Sequence, residues 1–176
     1  MLTPRTCLIH SGVWDHSTRQ VPVLSFIEKY CNKVDSLEIT GPFHHWYAQS
    51  CNFYNTNGIV YHGGDNTWNW MKDLFGQVIA LHHEVTSVRL FDATEMDLGA
   101  ERAAQWVILE AHTAFTTKGQ LSSYGPIVVP RSLMFLIGKS EVEGQGTDGW
   151  QILQAKVWWD SGELERQLKE RSKVNN

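Results

Sequence analysis

The chain has 176 residues, enough for one domain with a core of its own. With 42% apolar and 19% charged residues it is neither a disordered chain nor a coiled coil, and no apolar run nears the ~18 residues of a membrane span. A formal charge of −4 without a basic cluster argues against a nucleic-acid surface. Between Gln20 and Asp35, Val23, Phe26, Ile27, Tyr30 and Val34 recur at steps of three and four, which predicts an amphipathic helix with Pro22 in its first turn. Gly41-Pro42 then breaks the chain. A helical turn is expected around His44 to Gln49, followed by a strand-like Ser50 to Tyr54 and a hairpin-type turn at Asn57-Gly58. After Ile59 to His62, Gly63-Gly64 leads to Asp65, a candidate cap. Trp68, Met71, Leu74 and Phe75 form the stripe of a helix that Gly76 stops.

Beyond Gly76 the period changes to two. Strands are expected over Val78 to Phe91, Gln105 to Thr117, Ile127 to Ile137 and Trp150 to Trp159. Turn-rich pieces separate them: Asp92-Ala93-Thr94, Lys118-Gly119-Gln120 and Glu141 to Gly149. Ser161 to Asn176 is a charged tail, frayed at its end, that can begin as a helix. Helices first and long strands after define an α+β fold with an antiparallel sheet, one domain over 1–176 with its core at about 21–165. Because the strands carry apolar residues on both parities, both faces of the sheet need cover. On the second long strand Val107, Leu109, Ala111 and Phe115 make one face, while Trp106, Ile108, Glu110 and His112 make the other.

Eight Trp and eight His are many for this length. They suit a pocket for a flat organic molecule, and they suit a large core equally well. Cys7, Cys31 and Cys51 are odd in number and widely spaced, so reduced thiols in a cytoplasmic protein are expected rather than a disulfide framework. The opening residues Met1 to His10 lack the apolar stretch of a secretory signal, which fits the same expectation. The adjacent pairs His44-His45 and His82-His83 point apart on a strand and do not chelate one ion easily. No H-E-x-x-H, Cys pair, G-x-G-x-x-G or P-loop pattern is present, so neither a metal nor a nucleotide cofactor is expected.

Three stretches carry a likeness to a known family. Tyr47-Ala48-Gln49-Ser50-Cys51-Asn52-Phe53-Tyr54, then Gly63-Gly64-Asp65 with Trp68-Asn69-Trp70-Met71 and Leu74-Phe75-Gly76, then Leu81-His82-His83-Glu84-Val85-Thr86-Ser87-Val88 stand in the order of the NTF2-like (SnoaL-like) superfamily. Asp148-Gly149-Trp150-Gln151-Ile152 and Trp158-Trp159 resemble its closing turn and last strand. Many members have Asn four residues after the His, where this chain has Ser87. The resemblance implies helices packed in a strongly curved antiparallel sheet that forms a cone. Members include ketosteroid isomerases, scytalone dehydratase, polyketide and meroterpenoid cyclases and epoxide hydrolases, beside non-catalytic transport and adaptor proteins. What the catalytic members share is proton transfer on a carbonyl or alcohol in an apolar pocket, without metal or nucleotide.

The resemblance points His83 into the cone with Val85 and Ser87, as a general acid or base. Its plainer role is a half-buried imidazole bonded to a backbone carbonyl. By strand alternation His82 faces away. Glu110 and His112 share a face, so a carboxylate beside an imidazole is available either for proton transfer or as a polar pair at a dimer face. Asp35 ends the first helix where scytalone dehydratase-like members carry a pocket aspartate, and where other relatives merely close the helix. Tyr30 and Tyr54 are candidate hydroxyl donors to an enolate oxygen, and Trp106 a pocket wall. Arg131 either binds a substrate carbonyl or Glu110 from within, or stands outward at the rim. The expected protein is a cofactor-independent isomerase, cyclase or dehydratase of natural-product metabolism, acting on a polycyclic or aromatic intermediate. The alternative is a binding or scaffold protein with the cone filled by Trp and Phe. Either way the partners expected are a small hydrophobic molecule and a second copy of the chain through the outer sheet face.

Overall fold

Asp15 starts the helical part of the chain. Its carboxylate accepts the Thr18 backbone N–H while the Thr18 hydroxyl oxygen accepts the Asp15 N–H, each at 2.9 Å, a reciprocal box over the single turn α1 (His16–Arg19). The computed structural model describes residues 7–11, 14–93, 103–119 and 125–173. The expected turns at Thr94 and Gln120, and the last three residues of the tail, lie outside them. Helix α2 (Pro22–Asp35) places Pro22 where no backbone donor is needed and buries Val23, Phe26, Ile27, Tyr30 and Val34, the expected stripe. A 3₁₀ turn, Phe43–His45, leads straight into β2 (Tyr47–Tyr54). The strand therefore begins at Tyr47, not Ser50. The cause is long-range: Trp46 O accepts the Ile152 N–H at 2.8 Å, and Tyr47 registers with Ile152.

The turn at Asn57-Gly58 closes a hairpin onto β3 (Val60–His62) as expected. Helix α3 (Gly64–Phe75) is capped by Gly63, at φ +93°, and Asp65 lies in its first turn instead of at the cap. The next glycine is there for closeness: a Cβ on Gly64 would stand 2.5 Å from the Ala48 carbonyl oxygen and 2.9 Å from Tyr47 Cβ. So α3 presses its first turn directly on β2, which buries Trp68 and Met71.

The four long strands are β4 (Val78–Asp92), β5 (Ala104–Thr117), β6 (Ile127–Lys139) and β7 (Trp150–Trp159). A short strand, β1 (Cys7–His10), pairs with β4 over Val88 to Phe91. The sheet runs β1-β4-β5-β6-β7-β2-β3 and is antiparallel throughout except for the parallel pairing of β2 with β7. A purely antiparallel sheet was expected; the return of β7 beside the early strand β2 makes it mixed. Directly opposed residues share a face, so the register fixes which side chains turn toward α2 and α3. On β5 they are Val107, Leu109, Ala111, Thr113 and Phe115; opposite them on β6 stand Phe135, Leu133, Arg131, Val129 and Ile127.

On β4 the parity changes midway. Leu81, His83 and Val85 oppose Phe115, Thr113 and Ala111, but after a bulge at Thr86 it is Val88 and Leu90 that oppose Leu109 and Val107. The tail is a helix, α4 (Ser161–Lys173), better held than a fraying segment. Gln167 replaces a missing strand neighbour on β6, its amide nitrogen donating to Val128 O at 2.6 Å and its oxygen accepting the Val128 N–H at 3.2 Å. Among the described residues no helix is long and apolar enough to cross a membrane.

Candidate active site

Strand β1 covers β4 only from Val88 onward, so among the described residues the edge of β4 at His83 has no strand beside it. Helix α2 ends there, and its last residue, Asp35, takes the place of a strand. One carboxylate oxygen accepts the His83 backbone N–H at 2.9 Å and the other lies 2.5 Å from His83 Nδ1. Both side chains are shielded from water, His83 at 7% and Asp35 at 18% exposure, so this contact is worth more than a surface pair. His82, 72% exposed on the other face, reaches the same carboxylate only at 3.5 Å.

The remaining nitrogen, His83 Nε2, stands 3.5 Å from Arg131 Nη1. A guanidinium only donates and a carboxylate only accepts. Both neighbours therefore favour the tautomer with its proton on Nδ1 and Nε2 as the acceptor. The Arg131 guanidinium is buried, which pulls its pKa down to about 10, so it remains a cation at neutral pH. Its carbon lies 4.8 Å from the centre of the Trp159 ring. Tyr30, also buried, shares a hydrogen bond with the Tyr47 hydroxyl, and Tyr47 donates to Met71 Sδ at 3.1 Å. Burial raises both phenols above their ordinary value, so they are neutral at any physiological pH.

Two spaces meet at Arg131. The inner one, about 40 Å³, is bounded by Tyr30, Phe53, Trp70, His83, Arg131 and Phe135. The outer one, about 320 Å³, opens beneath α4 and is lined by Phe75, Leu81, Thr113, Phe115, Trp159 and Leu164, with Arg131 on its wall. The second has the size of a small-molecule site. Its surface is almost wholly apolar, and the polar residues on its wall are Asp73, Gln77, Thr113, Thr117 and Arg131. Among the described residues no group of three His, Cys, Asp or Glu side chains is arranged to hold a metal ion.

Of the expected site residues, His83, Asp35, Arg131 and Tyr30 come together. Arg131 points inward and meets His83, not Glu110. The others lie on the far face of the sheet. Glu110 is 3.7 Å from Arg89 and 3.4 Å from the Ser87 hydroxyl, and His112 is 3.8 Å from Glu84. Ser87 is there because the Thr86 bulge reverses the parity that Val85 had set. Trp106 opposes Phe91 and Leu136 on that face, and Tyr54 lies beside Lys156, whose ammonium is 5.1 Å from its ring. Thus neither Glu110 nor His112 reaches His83, and Tyr54, Trp106 and Ser87 do not line the cavities. The partner of His83 is Asp35. Thr113, Trp159 and Leu164 were not anticipated; a lone hydroxyl among Val107, Leu109, Ala111 and Phe115 was the signal available for the first of them.

No family model matches the chain, and no curated protein matches it in sequence. Solved structures do match. ActVI-ORFA from Streptomyces coelicolor superposes with a TM-score of 0.60 at 13% identity, covering 81% of this chain and 97% of its own. A protein assigned as a SnoaL-like polyketide cyclase from Shewanella denitrificans gives 0.58 at 10% identity over 89% and 99%. One assigned as a scytalone dehydratase from Novosphingobium aromaticivorans gives 0.58 at 9% over 83% and 89%. Helices cradled in a curled mixed sheet, with these likenesses, make the fold NTF2-like.

Proposed function

We propose that the protein is a cofactor-independent isomerase, cyclase or dehydratase that moves a proton on an apolar, enolisable molecule. The observation that carries this reading is the Asp35–His83 pair, whose geometry turns Nε2 toward Arg131 on the wall of the inner space. His83 would take the proton from a carbon next to a carbonyl, and Asp35 would hold the ring and balance the imidazolium that forms. Arg131 would stabilise the oxygen on which negative charge develops. Polycyclic or aromatic intermediates suit the walls of Phe75, Phe115 and Trp159.

The second reading, a binding or scaffold protein, has its own observation: the inner space of about 40 Å³ is nearly filled by aromatic side chains. The two readings part on one experiment. Flat ketones such as 2-tetralone are incubated with the protein in D₂O, and binding is followed by Trp fluorescence while deuterium at the α-carbon is followed by mass spectrometry. Exchange that exceeds the buffer rate and is lost in His83→Gln supports the enzyme. Binding with exchange at the buffer rate supports the scaffold.

A further inference from the structure

Two polar groups in the site have no partner in the protein. The Thr113 hydroxyl is 1% exposed and makes no hydrogen bond, and Arg131 Nε is likewise buried and unsatisfied. Native proteins rarely leave such groups idle, because each keeps its full desolvation cost. Both line the apolar chamber beneath α4. They also lie on one inner face: Thr113 opposes His83 across β4 and β5, and Arg131 opposes Ala111, two residues along β5 from Thr113. A third feature agrees. Among the described residues no carboxylate pairs with Arg131; its partners are the His83 imidazole at 3.5 Å and the Trp159 ring. A buried cation without an anion is poorly compensated by an imidazole lone pair and an aromatic face.

We propose that the missing partner is the ligand's own anion: the chamber takes an apolar organic acid, with one carboxylate oxygen on Arg131 Nε and the Thr113 hydroxyl. This deepens the functional reading above by naming the substrate class, and rests on that reading only in calling the ligand a substrate. An acid held there enters head first, its apolar body against Phe75, Phe115 and Leu164 and its polar end at Thr113 and Arg131. A guanidinium suits a carboxylate because its planar donors match the two oxygens. Neutral ligands of the same shape leave both buried donors unpaired, so the site selects against them.

Two isosteric probes test this, 2-naphthoate and 2-naphthylmethanol, each titrated into the full chain and followed by quenching of Trp fluorescence. The expected result is naphthoate binding at least ~10-fold more tightly than the alcohol, as a buried charged hydrogen bond gives. Arg131→Gln should abolish that preference. Thr113→Val, which keeps the side chain's shape and so the fold, should reduce naphthoate affinity several-fold and leave the alcohol unchanged. Naphthoate that does not bind, or binds no better than the alcohol, overturns the proposal. So does a preference that survives both substitutions. The outcome is independent of turnover: selective acid binding upholds this inference whether or not 2-tetralone exchanges, and exchange of neutral ketones without acid selectivity upholds the enzymatic reading and overturns this one.

Discussion

Asp35 shows how one side chain joins a strand edge to an imidazole. By accepting the His83 N–H it satisfies a donor on an uncovered strand edge, and by meeting Nδ1 it fixes the ring and its tautomer. Asp35→Asn keeps the shape but offers a donor as well as an acceptor, so the tautomer is no longer enforced. Any proton-transfer activity should then fall by roughly 10²-fold or more, the scale of a general base that has lost its geometry. A second carboxylate makes a stability claim. Glu28, largely buried on α2, accepts from Arg19 Nε at 2.8 Å and Nη2 at 2.6 Å, and the hydrogen bonds hold its carboxyl below the ordinary glutamate range. A carboxyl lowered on folding contributes fully above its unfolded pKa. That contribution is lost as pH falls through the lower, folded value. Urea denaturation as a function of pH should therefore show an acid limb below the ordinary glutamate range that is weaker in Arg19→Met, together with a lower stability of the variant at pH 7. Equal acid limbs in the two proteins would contradict the assignment.

At the scale of elements, α3 depends on a missing side chain. Gly64→Ala would place its Cβ 2.5 Å from a backbone oxygen of β2, which cannot rotate away, so the helix must lift from the strand. Overpacking of this kind costs about 1–3 kcal/mol, readable as a shift of the denaturation midpoint. An unchanged midpoint would mean that α3 is not held as closely as described. Elements were also the most legible part of the sequence. The stripe Val23–Phe26–Ile27–Tyr30–Val34 and the four period-two runs gave their helices and strands within a few residues. What periodicity does not carry is a bulge. The extra residue at Thr86 moved Ser87 to the far face, and on β5 both parities are apolar, so Glu110 and His112 offered no sign of which way they turn. The Asp35–His83 contact joins residues 48 apart. No local pattern encodes such a pairing; the family resemblance brought each residue forward singly, and the geometry joined them.

For the whole molecule, the curled sheet gives its two faces different work. The concave face holds α2, α3 and the cavities, while the far face carries Glu84, Arg89, Glu110 and His112 and has a groove of about 340 Å³ lined by Glu110, His112, Ser132 and Trp158, the last 48% exposed. We propose that face as the seat of a second copy of the chain, the partner the sequence reading expects. Native mass spectrometry at micromolar concentration should then report a dimer that Trp158→Glu dissociates, whereas a monomer at all concentrations would contradict it. The central claim concerns the other face, that His83, oriented by Asp35, transfers protons beside Arg131, where the two spaces meet. Its most direct test is the rate of deuterium uptake at the α-carbon of bound 2-tetralone, compared between the native chain and His83→Gln at equal ligand occupancy. The account predicts exchange above the buffer rate in the native protein and a loss of about 10²-fold or more in the variant. Equal rates in the two, with ligand bound to both, would contradict it.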